Sequence, residues 1–371
     1  MTVPAVPEAV PAADAGLARL PEALGRCGYS EVAASFHPST VSPTAWYDTA
    51  LAFDDPLRAA LELLLLGGSV DPGRLPAALV ELVPDLLGAG VAAAHQGKVS
   101  LQGLGLFRLN GIWLLAQLPQ MSPTLYFGDD SIALAARLEI RRGKALDLCA
   151  GPGLQSLVSA SRGMEVVAVE VNPVAAALCA VNTQVNGLAG RITVNCADLY
   201  AGADGRYDLV TANPPLLPIP AGMPYPFVGD GGADGFDVTW RILRGLPRHL
   251  ADRGVAQIIG MTLSDGFVPA PLDSVAAWAA AESLDVCWTT VNHLSTAADS
   301  WWTRGVAATS TAQIDPASSL AAEAMSAELA AAYAELDAPF VCTCFLRISR
   351  GDGNLRYVDV SSPESSGLWY R

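Results

Sequence analysis

Seven short apolar runs, ALDLC, EVVAVEV, ITVNCA, YDLVTA, GVAQIIGMT, LDVCWTTV and FVCTCFLRI, recur between residues 145 and 348. Near-continuous apolar runs of this length, rich in Val and Ile, suit strands buried on both faces. Helical stretches follow the first five runs, and a longer insertion separates the last two. Strands alternating with helices predict a doubly wound α/β sheet of seven strands. On such a sheet ligands bind outside the carboxyl ends of the strands, which is where the polar residues of these runs fall.

Upstream, from about residue 16 to 118, the pattern is mainly helical. DPLRAALELLLLGG has an acidic start, a helix-forming body and a Gly-Gly stop. DPGRLPAALVELVPDLLGAG reads as two short helices broken at Pro84. KVSLQGLGLFRLNGIWLLAQL reads as a strand, a turn at Asn110-Gly111 and a second strand. Helices followed by a hairpin resemble a winged-helix arrangement. The expected organisation is a smaller helical domain over 1–120, serving as a lid or dimerisation module, then a catalytic domain over 121–371 with an insertion at about 293–338. Residues 1–15 are rich in Pro and Ala and are expected to be disordered or draped.

Charge narrows the partners. The 371 residues carry 22 Lys and Arg against 37 Asp and Glu, a formal net charge of −15. A nucleic-acid binder gains affinity by neutralising phosphates, so this balance argues against DNA or RNA. Residues 1–120 alone hold six basic and eleven acidic side chains, which removes the DNA-binding reading of a winged helix. No apolar stretch approaches the ~20 residues that span a bilayer, and the N-terminus lacks a basic region and a signal core, so no membrane contact and a cytoplasmic location are expected. The seven cysteines and four histidines fall in no metal-ligand spacing, so no metal is expected.

The polar residues at the run ends carry the chemistry. LDLCAGPGLQSLVSA (146–160) reads as a strand, a glycine turn and a helix start. Gly151 and Gly153 let backbone pass close to a ligand, and Asp147 puts a carboxylate near the turn. Glu170 ends the next run, where a carboxylate can accept hydrogen bonds from a ribose diol. A dinucleotide fingerprint would carry a third glycine where this chain has Ser156. Asp198 follows the third run and can reach an adenine amine, with Leu199 supplying backbone and an apolar side chain. Asn213, Pro214 and Pro215 end the fourth run. Two successive prolines make a rigid backbone with carbonyls but no N–H donors, either a hard stop for the strand or a set of acceptors aimed at an N–H-bearing substrate.

Acid-G-x-G, then Glu170, then Asp198-Leu199, then Asn213-Pro214-Pro215 resembles, in order and spacing, the class I S-adenosylmethionine-dependent methyltransferases. The Asn-Pro-Pro is similar to that of the branch that methylates nitrogen, which includes the release-factor glutamine methyltransferases. The resemblance covers about residues 122–262, and VGDGGADGFDV (228–238) is similar to the Gly-Asp-Gly segment that follows Asn-Pro-Pro in that branch. It implies a Rossmann-like seven-stranded methyltransferase sheet and S-adenosylmethionine as cofactor, with S-adenosylhomocysteine as its product. It further implies that Asp147, Gly151 and Gly153 hold the methionine moiety, Glu170 the ribose, and Asp198 with Leu199 the adenine. Asn213, at the boundary of cofactor and acceptor, and the Pro214 carbonyl would accept hydrogen bonds from the acceptor nitrogen.

Two features depart from the family. The position after Asn-Pro-Pro, aromatic in the family and able to stack on a flat acceptor, is Leu216. Leu216 with the carboxylates of Asp230, Asp234 and Asp237 points to an aliphatic or guanidino acceptor, such as free arginine or another amino-acid derivative in a biosynthetic pathway. The second departure is the insertion, where Trp301 and Trp302 are expected in a polar loop and Trp301 is a candidate wall of the substrate site. The expectation is an N-methyltransferase of a small metabolite, able to form a homodimer. The alternatives are a protein glutamine-amide or RNA-base N-methyltransferase, and a non-catalytic S-adenosylmethionine-binding module.

Overall fold

The computed structural model describes residues 16–35, 43–118, 123–314 and 320–362. The N-terminal 15 residues, for which the sequence suggests a draped segment, lie outside the described ones. The chain opens with short helices: α1 (Leu20–Arg26), α2 (Tyr29–Ala33), α3 (Pro43–Ala50), α4 (Leu57–Leu64), α5 (Ala77–Val80) and α6 (Val83–Gly88). The break between α5 and α6 falls where Pro84 was expected to place it, with Pro84 in the first turn of α6. Four short strands follow, β1 (Ala93–His95), β2 (Lys98–Ser100), β3 (Leu104–Leu109) and β4 (Ile112–Gln117).

The hairpin of β3 and β4 turns at Asn110 (φ 50°) and Gly111 (φ 85°), the left-handed pair that Asn-Gly supplies to a two-residue turn. The first arm expected from the sequence is split: Gln102 and Gly103 also take positive φ, so Lys98–Ser100 pairs with β1 instead of continuing into β3.

The α/β part continues with α7 (Asp129–Ala136), β5 (Lys144–Leu148), α8 (Leu154–Ser161), β6 (Glu165–Glu170), α9 (Pro173–Val185), β7 (Ile192–Cys196) and β8 (Tyr207–Ala212). Then come α10 (Asp237–His249), β9 (Leu250–Ser264), α11 (Leu272–Glu282), β10 (Leu284–Ser295), α12 (Trp301–Ile314), α13 (Leu320–Glu335), β11 (Phe340–Arg350) and β12 (Leu355–Asp359). All seven apolar runs are strands. They lie in one eight-stranded mixed sheet of order β12-β10-β11-β9-β8-β5-β6-β7. The eighth strand, β12, was not read from the sequence; its LRYVD is half polar, as an edge strand tolerates, and it pairs parallel to β10. β10 and β11 pair antiparallel from Leu284↔Arg350 to Ser295↔Phe340, with one register shift between Thr290 and Asn292, so the strands stay paired up to the insertion between them.

Two local expectations are corrected. The run ending at β7 is followed by a 3-10 turn at Leu199–Gly202, because Gly202 and Gly205 leave too short a stretch for a helix before β8. Trp301 and Trp302 lie in no loop: they start α12, whose entry is capped by Ser300 Oγ accepting from Thr303 N at 3.1 Å. Trp302 is buried in the protein and Trp301 is 62% exposed.

By packing, the chain divides into two units: Met1–Pro119 with Leu125–Asp129 and Ala150–Asp198, and Gln120–Thr124 with Asp130–Cys149 and Leu199–Arg371. In the first unit, α9 holds the edge of β4 with two amides one turn apart. Asn182 exchanges both bonds with the Leu115 backbone (2.8 and 2.9 Å), and Asn186 does the same with Trp113 (2.9 and 2.6 Å). Four helical residues rise about 6 Å and two strand residues about 6.8 Å, so the two spacings match. In the second unit, the segment after α7 is pinned to the sheet: Gln257 in β9 bonds both Glu139 N (2.7 Å) and Arg137 O (2.8 Å). Arg347 in β11 pairs with the Glu139 carboxylate, and holds it below the ordinary glutamate range. Among the described residues no helix is long and apolar enough to cross a membrane.

Candidate active site

In the first unit, the turn that enters α8 is built around Glu170. The carboxylate ends β6 at 8% exposure, and it accepts from Gly151 N and from Asn172 N, each at 2.8 Å. Burial pushes its pKa up, and these backbone N–H groups oppose the shift. Each oxygen keeps a second lone pair for a hydroxyl donor. Glu170 is therefore a buried, aimed carboxylate and not a solvated strand end.

Gly153 takes φ 94° at the start of α8, and a Cβ there would sit 2.5 Å from Cys179 Sγ on α9, so only glycine lets helix and turn approach this closely. Behind the turn, Asn182 also donates to Pro152 O at 2.8 Å while fully buried. The glycine turn is thus bonded to Glu170 on one side and Asn182 on the other. Ala197 N donates to Glu170 O at 3.1 Å, which brings the end of β7 beside Glu170, and the exposed Asp198 follows.

In the second unit, Asp147 is 1% exposed in β5 and accepts from Thr211 Oγ1 in β8 at 2.8 Å. Leu199 is buried and takes φ 48° at the start of its 3-10 turn. Two residues past Thr211, the Asn213 amide is locked. Its Nδ2 donates to Asp130 Oδ2 at 3.1 Å and to Ser131 Oγ at 3.0 Å. A carboxylate can only accept, so this pair fixes which end of the amide is NH2. The other end, Oδ1, is buried and has no hydrogen-bond partner. An orphaned buried acceptor is rare in native proteins and calls for a ligand donor.

Asp130 and Ser131 were missed by sequence reasoning. Their signal is the polar DDS at the start of α7, 83 residues from Asn213, in a helix otherwise apolar.

The remaining predicted residues build the loop beyond Asn-Pro-Pro. Pro214 is buried and Leu216 is 4% exposed. Leu217 N donates to Gly229 O and Gly231 N to Leu217 O, both at 2.9 Å, so the Gly-Asp-Gly segment is laced to the strand end. Gly231 must be glycine, since a Cβ would lie 2.9 Å from Leu216 backbone. Asp230 Oδ1 accepts from Gly232 N (3.0 Å) and Asp234 Oδ1 from Phe236 N (2.8 Å), so both carboxylates shape their own turns. Asp237 opens α10.

Residues 129–264 match the family model of the methyltransferase small domain. A protein from Methanocaldococcus jannaschii, provisionally named a protein N5-glutamine methyltransferase, is 31% identical over 154 residues, 39% of this chain and 76% of that protein. The chain belongs to the class I S-adenosylmethionine-dependent methyltransferases of the Asn-Pro-Pro type.

A ribosomal protein uL3 glutamine methyltransferase from Bradyrhizobium diazoefficiens is 33% identical over 38% of this chain, which spans about half (52%) of that enzyme. A release factor glutamine methyltransferase from Cereibacter sphaeroides is 27% identical over 55% of this chain and 78% of that one. As a member of the family this is an S-adenosylmethionine-dependent N-methyltransferase. The small-molecule acceptor expected above is overturned by these relatives, whose names specify glutamine methylation or a protein acceptor. The physical premise also changes: the Asp230 and Asp234 carboxylates, expected to face a guanidinium, are engaged by their own backbone, and Leu216 is buried.

The residues present fit the cofactor. Glu170 keeps lone pairs for two ribose hydroxyls, and the glycine turn leaves no side chain in the way.

Proposed function

We propose that this protein methylates the side-chain amide nitrogen of a glutamine in another protein. The observation that carries the reading is the buried Asn213 Oδ1, fixed as an acceptor and left without a partner. The relatives named for ribosomal protein uL3 and for release factors support a partner in the translation machinery.

S-adenosylmethionine supplies a methyl group already activated on a sulfonium. The roles assigned to the chain follow from that. In the first unit Glu170 accepts from the ribose hydroxyls, Gly151 and Gly153 admit the methionine moiety, and Asp198 accepts from the adenine amine. In the second unit Asp147 faces the methionine moiety and Leu199 the adenine.

The acceptor is the harder half of the problem, because an amide nitrogen shares its lone pair with the carbonyl and is a poor nucleophile. Asn213 Oδ1 and the Pro214 carbonyl accept from its two N–H groups and fix the amide plane. They also favour the positive charge that develops on nitrogen as it takes the methyl from the sulfonium, and one of its N–H protons is then released to water. Pro214 and Pro215 have no N–H to compete for those carbonyls, and their fixed φ holds the acceptors in place. Asn213 acts as a fixed dipole, not as a base. Asp130 and Ser131 do not touch the substrate in this scheme; they hold the amide the right way round.

The test is label transfer. The full-length enzyme is incubated with methyl-labelled S-adenosylmethionine and recombinant bacterial ribosomal protein uL3, a peptide release factor, or a dialysed small-molecule extract. The reading predicts label in one of the proteins. Label confined to the small-molecule fraction would overturn it.

A further inference from the structure

The insertion that departs from the family is bonded to the loop following Asn-Pro-Pro. Tyr333 on α13 is fully buried and donates its hydroxyl to Pro218 O at 2.6 Å. Burial pushes the phenol's pKa up, so Tyr333 stays a donor. Pro218 lies three residues past Pro215, inside the stretch whose backbone is laced to Gly229, Gly231 and Gly232.

Within the loop itself, Tyr225 packs against the returning limb: a Cβ at Gly229 would sit 2.8 Å from Tyr225 Cε1. Tyr333, Pro218 and Tyr225 belong to the same unit as Asn213.

We propose that the α12–α13 hairpin is the element that sets acceptor recognition, with Tyr333 as a positioning residue that fixes the loop of residues 216–230 through Pro218. The assignment rests on the protein-glutamine reading for the identity of the acceptor, but not for the brace itself. The base of the loop is buried at Leu216 and Ile219, and its tip is exposed at Phe227 (65%). An exposed tip is the part that moves unless its base is held. Tyr333 holds that base at Pro218, in the unit that carries Asn213.

A variant of the full-length protein tests this: Tyr333→Phe removes the hydroxyl and keeps the core filled. Hydrogen exchange followed by mass spectrometry reads the brace without any substrate. Losing a buried bond predicts about tenfold faster exchange at the amides of Leu217, Ile219 and Gly231, with β5 and β8 unchanged. Kinetics with the protein that takes label predict an acceptor KM raised about tenfold, kcat within about twofold, and unchanged affinity for S-adenosylhomocysteine by calorimetry. Unchanged exchange in 216–230 would overturn the brace. Faster exchange with an unchanged acceptor KM would overturn the role in recognition. If no protein takes label, the glutamine reading fails while the exchange result still decides the brace.

Discussion

Replacing Asn213 by Asp tests the amide lock with almost no change in shape. In the native protein Nδ2 faces Asp130 Oδ2 at 3.1 Å. The substitution puts a carboxylate oxygen where that NH2 was, so two carboxylates meet at the same distance. At an effective dielectric of ~20 the repulsion between two unit charges 3.1 Å apart is about 5 kcal/mol. That is enough to raise the pKa of the pair's second proton well above the ordinary carboxylate range. Below that value the two side chains share a proton, the O–H···O bond replaces N–H···O, and the outer oxygen still accepts. Above it the pair is doubly charged and pushes apart.

The expected result in single-turnover methyl transfer is an Asn213→Asp enzyme with substantial activity at mildly acidic pH that falls tenfold per pH unit on the alkaline side. Asn213→Ala should instead lose about 100- to 1,000-fold at every pH, the usual size for removing one aimed dipole from a reacting centre. Both variants should bind S-adenosylhomocysteine normally. A pH profile for Asn213→Asp that parallels the native enzyme would refute the lock, because it would mean that Asp130 does not face this side chain.

Two further outcomes follow from the first unit. Glu170→Ala should weaken S-adenosylhomocysteine binding at least tenfold by calorimetry, since charge-assisted bonds to two hydroxyls are worth about 1.5–3 kcal/mol each before desolvation. Because burial raises the Glu170 pKa, the protonated form is favoured in the free fold, so the group's contribution to stability falls as pH rises from the ordinary glutamate value through the raised one. The hydroxyls bind the ionised form, so affinity should drop with acidification at a higher pH than an ordinary glutamate would give; titration at several pH values checks this. Asn182→Ala leaves Pro152 O and the Leu115 backbone without their buried partner, and should cost about 2–4 kcal/mol in denaturant melts. An unchanged midpoint would contradict the clamp.

The central strands β5, β8 and β9 were legible because both faces of each are buried, which leaves an unbroken apolar run whatever the neighbours are. Asn110-Gly111 was legible because turn chemistry is local, and Gly151, Gly153 and Glu170 because spacing along one βαβ unit fixes them. What supports the candidate site was not legible. Asp130 reaches Asn213 across 83 residues, and Tyr333 reaches Pro218 across 115. Those contacts are set by which elements the sheet brings side by side, and no periodicity within either element records it. The tryptophans at the insertion misled for a related reason: a polar stretch with a Ser300 cap is a helix start as readily as a loop. Asp230 and Asp234 pointed to a cationic acceptor only because their bonds to their own turns could not be seen from composition.

The central claim is that Asn213 presents a fixed acceptor to the side-chain amide of a glutamine in a protein. Its most direct test is peptide mapping of the methylated product by tandem mass spectrometry, with the native enzyme and Asn213→Ala run in parallel on the same protein acceptor. The account predicts a single methyl on the side-chain nitrogen of one glutamine, lost with Asn213→Ala although cofactor binding persists. A methyl found on lysine, arginine or a carboxylate, or one that survives Asn213→Ala at the native rate, would contradict it.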